Sequence, residues 1–311
     1  MELIQNLNLI KPYKNAAITI GNFDGVHIGH KELFKQVINE AKNIGGVSVA
    51  ITFHPHPMKV LKNKRPFYLI TPPKRKTKLI EQTGIDVLII IPFTKQFADL
   101  TAEDFLEKIL IKKIGAKSII VGNDYTFGKN RSGNLNFLKQ NSLKFGYKIK
   151  GISDITGTLT ERISSTEIRK TIAAGKVFQV KKLLGRFYKT SGKIIKGRGR
   201  GGKTLGFPTA NIEPDEQLPP ASGVYAVLVK YKNNIYNGVA NIGVSPSFKD
   251  NLFTIEAHII NFNKEIYGEK IGITFIKKIR EEKKFTNLTE LSEQIKKDIA
   301  TGEKILSKCQ N

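Results

Sequence analysis

The chain has 311 residues, 40% apolar, 25% charged and 9% aromatic, which leaves room for about two domains and excludes a disordered chain or one small module. Its 51 basic and 27 acidic residues give a net charge of +24, a field that steers polyanions, nucleoside triphosphates included, toward the surface. The basic residues are scattered, without a long tract or interleaved aromatics, so a lysine-rich solvated surface accounts for them better than a nucleic-acid groove.

From residue 16 to about 175, short apolar runs alternate with amphipathic stretches. Strands are predicted over Ala17 to Ile20, Val47 to Phe53, Asp86 to Ile91, Lys117 to Val121 and Tyr147 to Ile152. Helices are predicted over His30 to Lys42, Pro72 to Gln82, Thr101 to Lys113, Leu135 to Leu143 and Ser164 to Ala174. Such alternation implies right-handed crossovers and a parallel sheet covered on both faces, a Rossmann-like α/β layout. Ligands of such sheets sit beyond the carboxyl ends of the strands, which points to the turn after Ile20.

After a basic connector that starts at Gly175, the pattern changes near Leu184. Short β-type runs, Lys193 to Ile195, Gly223 to Tyr231, Asn237 to Ile242, Phe253 to Ile260 and Ile271 to Ile279, are separated by Gly, Asn and Pro turns. They predict an antiparallel barrel or sandwich, closed by a C-terminal helix over Leu288 to Leu306. The expected domains are therefore 1–184 and 185–311.

The string GNFDGVHIGH at 21–30 follows the first strand and opens the first helix. A glycine-bearing turn at a helix start offers backbone N–H groups and the positive end of the helix dipole to an anion, and two imidazoles there add donors for phosphate oxygens. One isolated histidine would be a capping or packing residue. His27 and His30, three apart with Gly29 between them, favour the phosphate reading, and Gly29 leaves room for a flat base against the backbone. Metal binding is the competing reading. No third ligand sits at a zinc-like spacing nearby except His54 and His56, and the prolines beside those two point to a rigid loop.

The H-x-G-H element at 27–30 resembles the signature of the nucleotidyltransferase superfamily. The longer string, followed by TFHPHP at 52–57, VGNDYTFG at 121–128 and ISSTEIR at 163–169, resembles the adenylyltransferase half of prokaryotic bifunctional riboflavin kinase/FAD synthetases. The resemblance implies that His27 and His30 hold the ATP phosphates while the FMN phosphate attacks the α-phosphate. It implies that Ser164, Ser165 and Thr166 cap a helix and bind phosphate, with Arg169 as a bidentate clamp. Asn22 and Asp124 match polar positions of the same site, and His56 matches the family's loop. Where the family usually carries an acid after the glycine that ends the ISSTEIR helix, this chain has Lys176 after Gly175.

Residues 197–204, GRGRGGKT, match the P-loop pattern letter for letter. A true P-loop needs a helix at the Lys-Thr pair, and Pro208, Pro214, Pro219 and Pro220 forbid one. A glycine-rich turn including Gly202 still offers N–H groups to phosphates, with Lys203 as a local charge. GKTLGFPTANI at 202–212 resembles the riboflavin kinase signature. That likeness implies Thr209 and Asn211 as oxygen ligands of Mg2+ beside the ATP phosphates. The strings GVYAV at 223–227, NGVANIGVSPSF at 237–248 and IEAHI at 255–259 also follow the family. Glu256, in an apolar strand, is either an outward-facing residue by simple alternation or, as the resemblance favours, the base for the ribityl hydroxyl that attacks the γ-phosphate.

The expected protein is a bifunctional enzyme with an α/β Rossmann-like nucleotidyltransferase domain followed by an antiparallel β-barrel domain with a C-terminal helix. It would use riboflavin, FMN and ATP with Mg2+ and produce FMN and FAD. Two alternatives stand beside it: a kinase only, with Lys176 impairing the first domain, and a basic RNA-binding protein reusing the fold. No apolar run approaches the roughly 20 residues of a bilayer span, and the first twenty residues carry no secretory signal. With a single cysteine, Cys309, no intramolecular disulfide can form. A cytoplasmic protein with no membrane contact and no specific nucleic-acid partner is expected.

Overall fold

The computed structural model describes residues 1–61, 67–153, 163–196, 207–244 and 253–310. They form two compact units, Met1–Ser165 and Thr166–Asn311.

The first unit runs β1 (Glu2–Ile4), β2 (Ala16–Ile20), α1 (Ile28–Asn43), β3 (Ser48–His54), α2 (Pro57–Leu61), α3 (Pro73–Glu81) and β4 (Val87–Pro92). Short helices α4 (Lys95–Ala98) and α5 (Ala102–Asp104) follow, and α5 continues into a π-helix, Phe105–Lys113. Then come β5 (Ala116–Gly122), the small antiparallel pair β6 (Thr126–Phe127) and β7 (Gly133–Asn134), α6 (Leu135–Phe145) and β8 (Lys148–Ile152). Among the described residues the main sheet has six strands in the order β1-β4-β3-β2-β5-β8, and every pairing is parallel. The edge strand β1, three residues long, was too short to show a period in the sequence.

Alternation within the strands divides the core into two layers. Ile18, Ile20, Val49, Ile51, Ile89, Ile91, Ile119 and Val121 pack on one face with Phe105, Leu106 and Leu138. Ala17, Ala50, Leu88, Ile90 and Ile120 pack on the other with Phe34, Val37 and Ile80 from α1 and α3. This is the two-sided covering that a parallel sheet requires. β2 has β3 on one side and β5 on the other, so chain order reverses between β2 and β5. Their carboxyl ends lead into the turns at 21–27 and 122–128, the crevice where such sheets bind ligands.

Helix α7 (Ser165–Ala173) spans the division between the units, and α8 (Val177–Leu184) follows it. Beyond them lie β9 (Lys189–Ile195), β10 (Thr209–Pro214), β11 (Gly223–Tyr231), β12 (Asn234–Val244), β13 (Phe253–Ile259), β14 (Lys270–Arg280) and α9 (Leu288–Gln310). The six strands close into an antiparallel barrel in the order β10-β13-β12-β11-β14-β9. Tyr225, Val227, Val229, Ile273 and Phe275 are fully buried on one face of their strands and fill the interior. Ala226 and Ile276 point the opposite way and pack with Leu306 and Ile305 of α9. Asp298 of α9, 5% exposed, takes the Arg280 guanidinium on both oxygens at 2.8–3.1 Å and pins the helix to the end of β14.

The barrel confirms the second architecture and adds β10, which is not among the strands predicted from the sequence. Pro208 stands just before β10 and Pro214 is its last residue, so the same prolines that forbid a helix bound a strand. The second compact unit takes in most of α7 and all of α8, which lies on β14.

Candidate functional site

The turn after β2 is built under strain. Phe23, Gly25 and Val26 adopt positive φ values of 47°, 92° and 40°, which costs about 1–3 kcal/mol for a non-glycine residue such as the β-branched Val26. Packing offsets that cost: Phe23, 2% exposed, meets Phe34 and His30 edge to face at 4.8 and 5.3 Å. The turn delivers His27 as the N-cap of α1, where its Nδ1 accepts from the His30 N–H at 3.3 Å. With Nδ1 an acceptor, the neutral ring carries its proton on Nε2 as a donor.

The two imidazoles stack with centroids 3.5 Å apart and an interplanar angle of 20°. Both therefore sit at the positive end of a 16-residue helix, where an anion is favoured. Gly29 is part of this geometry. A Cβ there would stand 3.1 Å from His27 Nδ1 and 3.2 Å from Cε1, so glycine lets the first imidazole lie against the opening turn.

The other sequence-predicted residues of this half fall on the same edge of the sheet or lead away from it. Asn22 is exposed in the turn. Asp124 is exposed in the turn after β5, its Oδ1 3.1 Å from where a Cβ on Gly122 would be. His56, after β3, stacks on Phe67 at 4.5 Å, and its Nδ1 accepts from the Met58 N–H at 3.1 Å, so its ring is committed to shaping that loop. Ser164 precedes α7, and Ser165 opens it by donating its hydroxyl to the Asp24 carbonyl at 2.9 Å. Thr166 and Arg169 continue α7 in the second unit.

One residue that the motifs did not include lies beneath the turn. Lys76 of α3 is 8% exposed. Its Nζ donates to the Asn22 carbonyl at 3.1 Å and to Thr52 Oγ1 at 2.9 Å, and Thr52 Oγ1 itself donates to the Asn22 carbonyl at 3.1 Å. Burial pushes the Lys76 ammonium down to about 8, against the attraction of Asp24. The Asp24 carboxylate accepts the N–H groups of Ile70 and Thr71 at 3.1 Å. The sequence signal was faint: Lys76 lies four residues before the buried Ile80 on one helical face.

In the barrel, register assembles the second constellation. Asn211 of β10 is directly opposite Glu256 of β13, which is also opposite Asn241 of β12. Neighbouring pairs Ile212–Ile255 and Ala240–Ala257 are turned inward, so this polar row faces outward, within roughly 4.5–5.5 Å of its neighbours at Cβ. Thr209 lies opposite His258 on the same face, and the His258 ring lies 3.0 Å from the Pro208 carbonyl through Nδ1. Glu282, after β14, brings a carboxylate oxygen within 3.1 Å of where a Cβ on Gly243 would be, a neighbour of this row that sequence spacing did not reveal. Gly202 and Lys203 lie outside the described residues.

The hydroxyl of Thr209 and the amide oxygen of Asn211 are hard donors. No group of three or more His, Cys, Asp or Glu side chains forms a metal cage among the described residues. Two such oxygens on one barrel face suit a Mg2+ ion that keeps most of its waters and shares nucleotide phosphates.

A model of the FAD synthetase family matches residues 10–167, and one of the riboflavin kinase family matches residues 184–306. The chain belongs to the bifunctional riboflavin kinase/FMN adenylyltransferase family. It is 40% identical over 305 residues to the bifunctional riboflavin kinase/FMN adenylyltransferase of Buchnera aphidicola subsp. Schizaphis graminum, covering 96% of this chain and 97% of that one. The protein of the same name from Escherichia coli K12 is 33% identical over 310 residues, 97% of each chain. The Bacillus subtilis 168 protein is 38% identical over 295 residues, 91% of this chain and 90% of that one. A crystal structure described as a macrolide-efflux protein from Streptococcus pneumoniae superposes with a TM-score of 0.86 at 32% identity, covering 97% of this chain and 98% of that one. No helix among the described residues is long and apolar enough to cross a membrane.

Proposed function

We propose that the two activities of the family are divided between the two constellations, one in each half of the chain. The chain is a bifunctional enzyme of flavin cofactor synthesis: it phosphorylates riboflavin with ATP to FMN, then adenylylates FMN with ATP to FAD and pyrophosphate. ATP is the co-substrate of both steps, and FMN and FAD are the products. The proposed boundary between the adenylyltransferase and kinase halves is 184/185, where the riboflavin kinase match begins.

In the first half, an FMN phosphate oxygen attacks the α-phosphorus of ATP and the bond to pyrophosphate breaks. His27 and His30 donate to the phosphate oxygens as charge shifts toward the leaving group, supported by the α1 N-terminus. Asn22, Gly29 and the exposed Asp124 line the nucleotide position, and Ser164, Ser165, Thr166 and Arg169 act as polar and cationic supports for the phosphates. The stacked pair at the helix start is the observation that carries this reading.

In the barrel, Glu256 takes the proton of the ribityl hydroxyl as its oxygen attacks the γ-phosphorus and ADP leaves. Thr209 and Asn211 would hold Mg2+, which would supply neutralisation of phosphate charge when bound, and Gly202 and Lys203 would assist at the phosphates. The register that puts Asn211 directly opposite Glu256 is the observation that supports this half. A cytoplasmic location belongs to the same proposal, as do riboflavin, FMN and ATP as partners, with no membrane and no specific nucleic acid.

Incubating the pure chain with riboflavin, ATP and Mg2+ and separating the flavins tests it. FMN and FAD together support the division. FMN alone leaves only the kinase, and neither product leaves the basic surface as the feature to explain, with salt-sensitive RNA binding as the next assay.

A further inference from the structure

We propose that Lys76 is a positioning residue for adenylyl transfer, holding the turn at 21–27 in its phosphate-binding conformation from beneath. The proposal rests on the adenylyltransferase reading of that turn. A backbone turn that presents N–H groups to an anion must aim its carbonyl oxygens elsewhere, and those oxygens need donors once buried. At Asn22 the donors are Lys76 Nζ at 3.1 Å and Thr52 Oγ1 at 3.1 Å, joined to each other at 2.9 Å. This triangle ties the turn to β3 and α3 at once. At Asp24 the carbonyl takes the Ser165 hydroxyl, and the carboxylate takes the Ile70 and Thr71 N–H groups.

The turn needs such fixing. Its positive φ angles at Phe23 and Val26 persist only where the surroundings over-determine them, and strain of that kind concentrates at sites where geometry serves function. Burying an ammonium group is itself unfavourable, as the depressed Lys76 proton affinity records. A residue that lowers stability is retained where it serves activity. Its positive charge also lies under the one turn that the fold and the stacked imidazoles reserve for an anion, so it adds to that field in a low-dielectric setting.

Lys76→Met keeps most of the stem and removes the donors, and Thr52→Val keeps the shape and removes one corner of the triangle. Both are assayed in the full chain for FAD formation from FMN and for FMN formation from riboflavin. For Lys76→Met the expected result is at least a tenfold rise in KM for ATP and at least a tenfold fall in kcat for FAD formation, with the kinase within twofold of wild type. Thr52→Val moves the same two constants in the same direction by about threefold. Wild-type FAD kinetics in a folded Lys76→Met chain overturn the proposal, as does an equal loss of both activities, which would mark a purely structural role. If Lys76→Met does not fold, unchanged FAD kinetics in Thr52→Val overturn it instead. A wild-type chain that makes FMN but no FAD overturns the adenylyltransferase reading first and this proposal with it.

Discussion

Asn211 and Glu256 stand directly opposite each other on neighbouring antiparallel strands of the barrel, with Asn241 continuing the row beyond Glu256. Alternation had left Glu256 as either an outward-facing residue or a base, and the register shows that facing outward places it beside Asn211. Glu256→Gln keeps the shape and removes the proposed base. Loss of a general base costs about a hundred- to ten-thousand-fold, so FMN formation should fall by that factor while FAD formation from supplied FMN stays near wild type. A folded Glu256→Gln chain making FMN at the wild-type rate would reduce Glu256 to a strand residue.

His27 carries two roles that substitution separates. As N-cap it accepts the His30 N–H, a contact that Asn also makes, and as an imidazole it is a proposed donor to phosphate. His27→Asn should keep the melting temperature and lower FAD formation about a hundred- to a thousand-fold, so that FMN accumulates from riboflavin. His27→Ala should lose the same activity and about 1 kcal/mol of stability as well. Equal FAD rates for His27→Asn and wild type would leave only the capping role.

Proton linkage at Lys76 has a definite sign. Its folded value of about 8 lies below the unfolded 10.5, so between those values the unfolded chain holds a proton that the folded chain has released. Stability from this group therefore rises with pH across that window and is flat below it. At about 1.4 kcal/mol per tenfold change in proton affinity, the gain is about 3 kcal/mol. Urea unfolding of wild type and Lys76→Met at pH 7 and pH 10.5 isolates it, because other groups cancel in the difference. Parallel pH curves would count against the buried ammonium.

The connector helices bear on where the kinase half can be cut. Val177, Val180 and Leu184 of α8 are almost fully buried, and α8 lies on β14. Burial of each such side chain contributes about 1.5–3 kcal/mol. A fragment of residues 166–311 should therefore convert riboflavin to FMN without making FAD, and a fragment of residues 185–311 should melt at a lower temperature. If the shorter fragment is as stable as the longer one, α8 does not belong to the barrel's fold.

Asp298 is buried on α9 and receives a bidentate Arg280. Asp298→Ala leaves a guanidinium without its counter-charge in a partly buried place, which costs about 3–5 kcal/mol. Thermal unfolding checks this, and a loss under 1 kcal/mol would mean that the pair is solvated.

Much of this protein is determined by local order along the chain. The alternation of apolar runs with amphipathic stretches specified a parallel sheet, because each period dictates which face is buried, and the strand-turn-helix context of GNFDGVHIGH put His27 and His30 at the start of a helix. The prolines after Thr204 argue against a P-loop helix by steric rules that need no tertiary contact. Other features existed only once distant segments met. Of Lys74, Arg75, Lys76 and Lys78 on one helix, the sequence does not single out a buried member. The choice of Lys76 follows from the carbonyl of Asn22 and the hydroxyl of Thr52, more than twenty residues away. Likewise Asn211, Asn241 and Glu256 form a row only through strand register, which is decided by closure of the whole barrel and not by any one strand. Periodicity is a property of neighbours in sequence; register and the partners of buried polar groups are properties of neighbours in space.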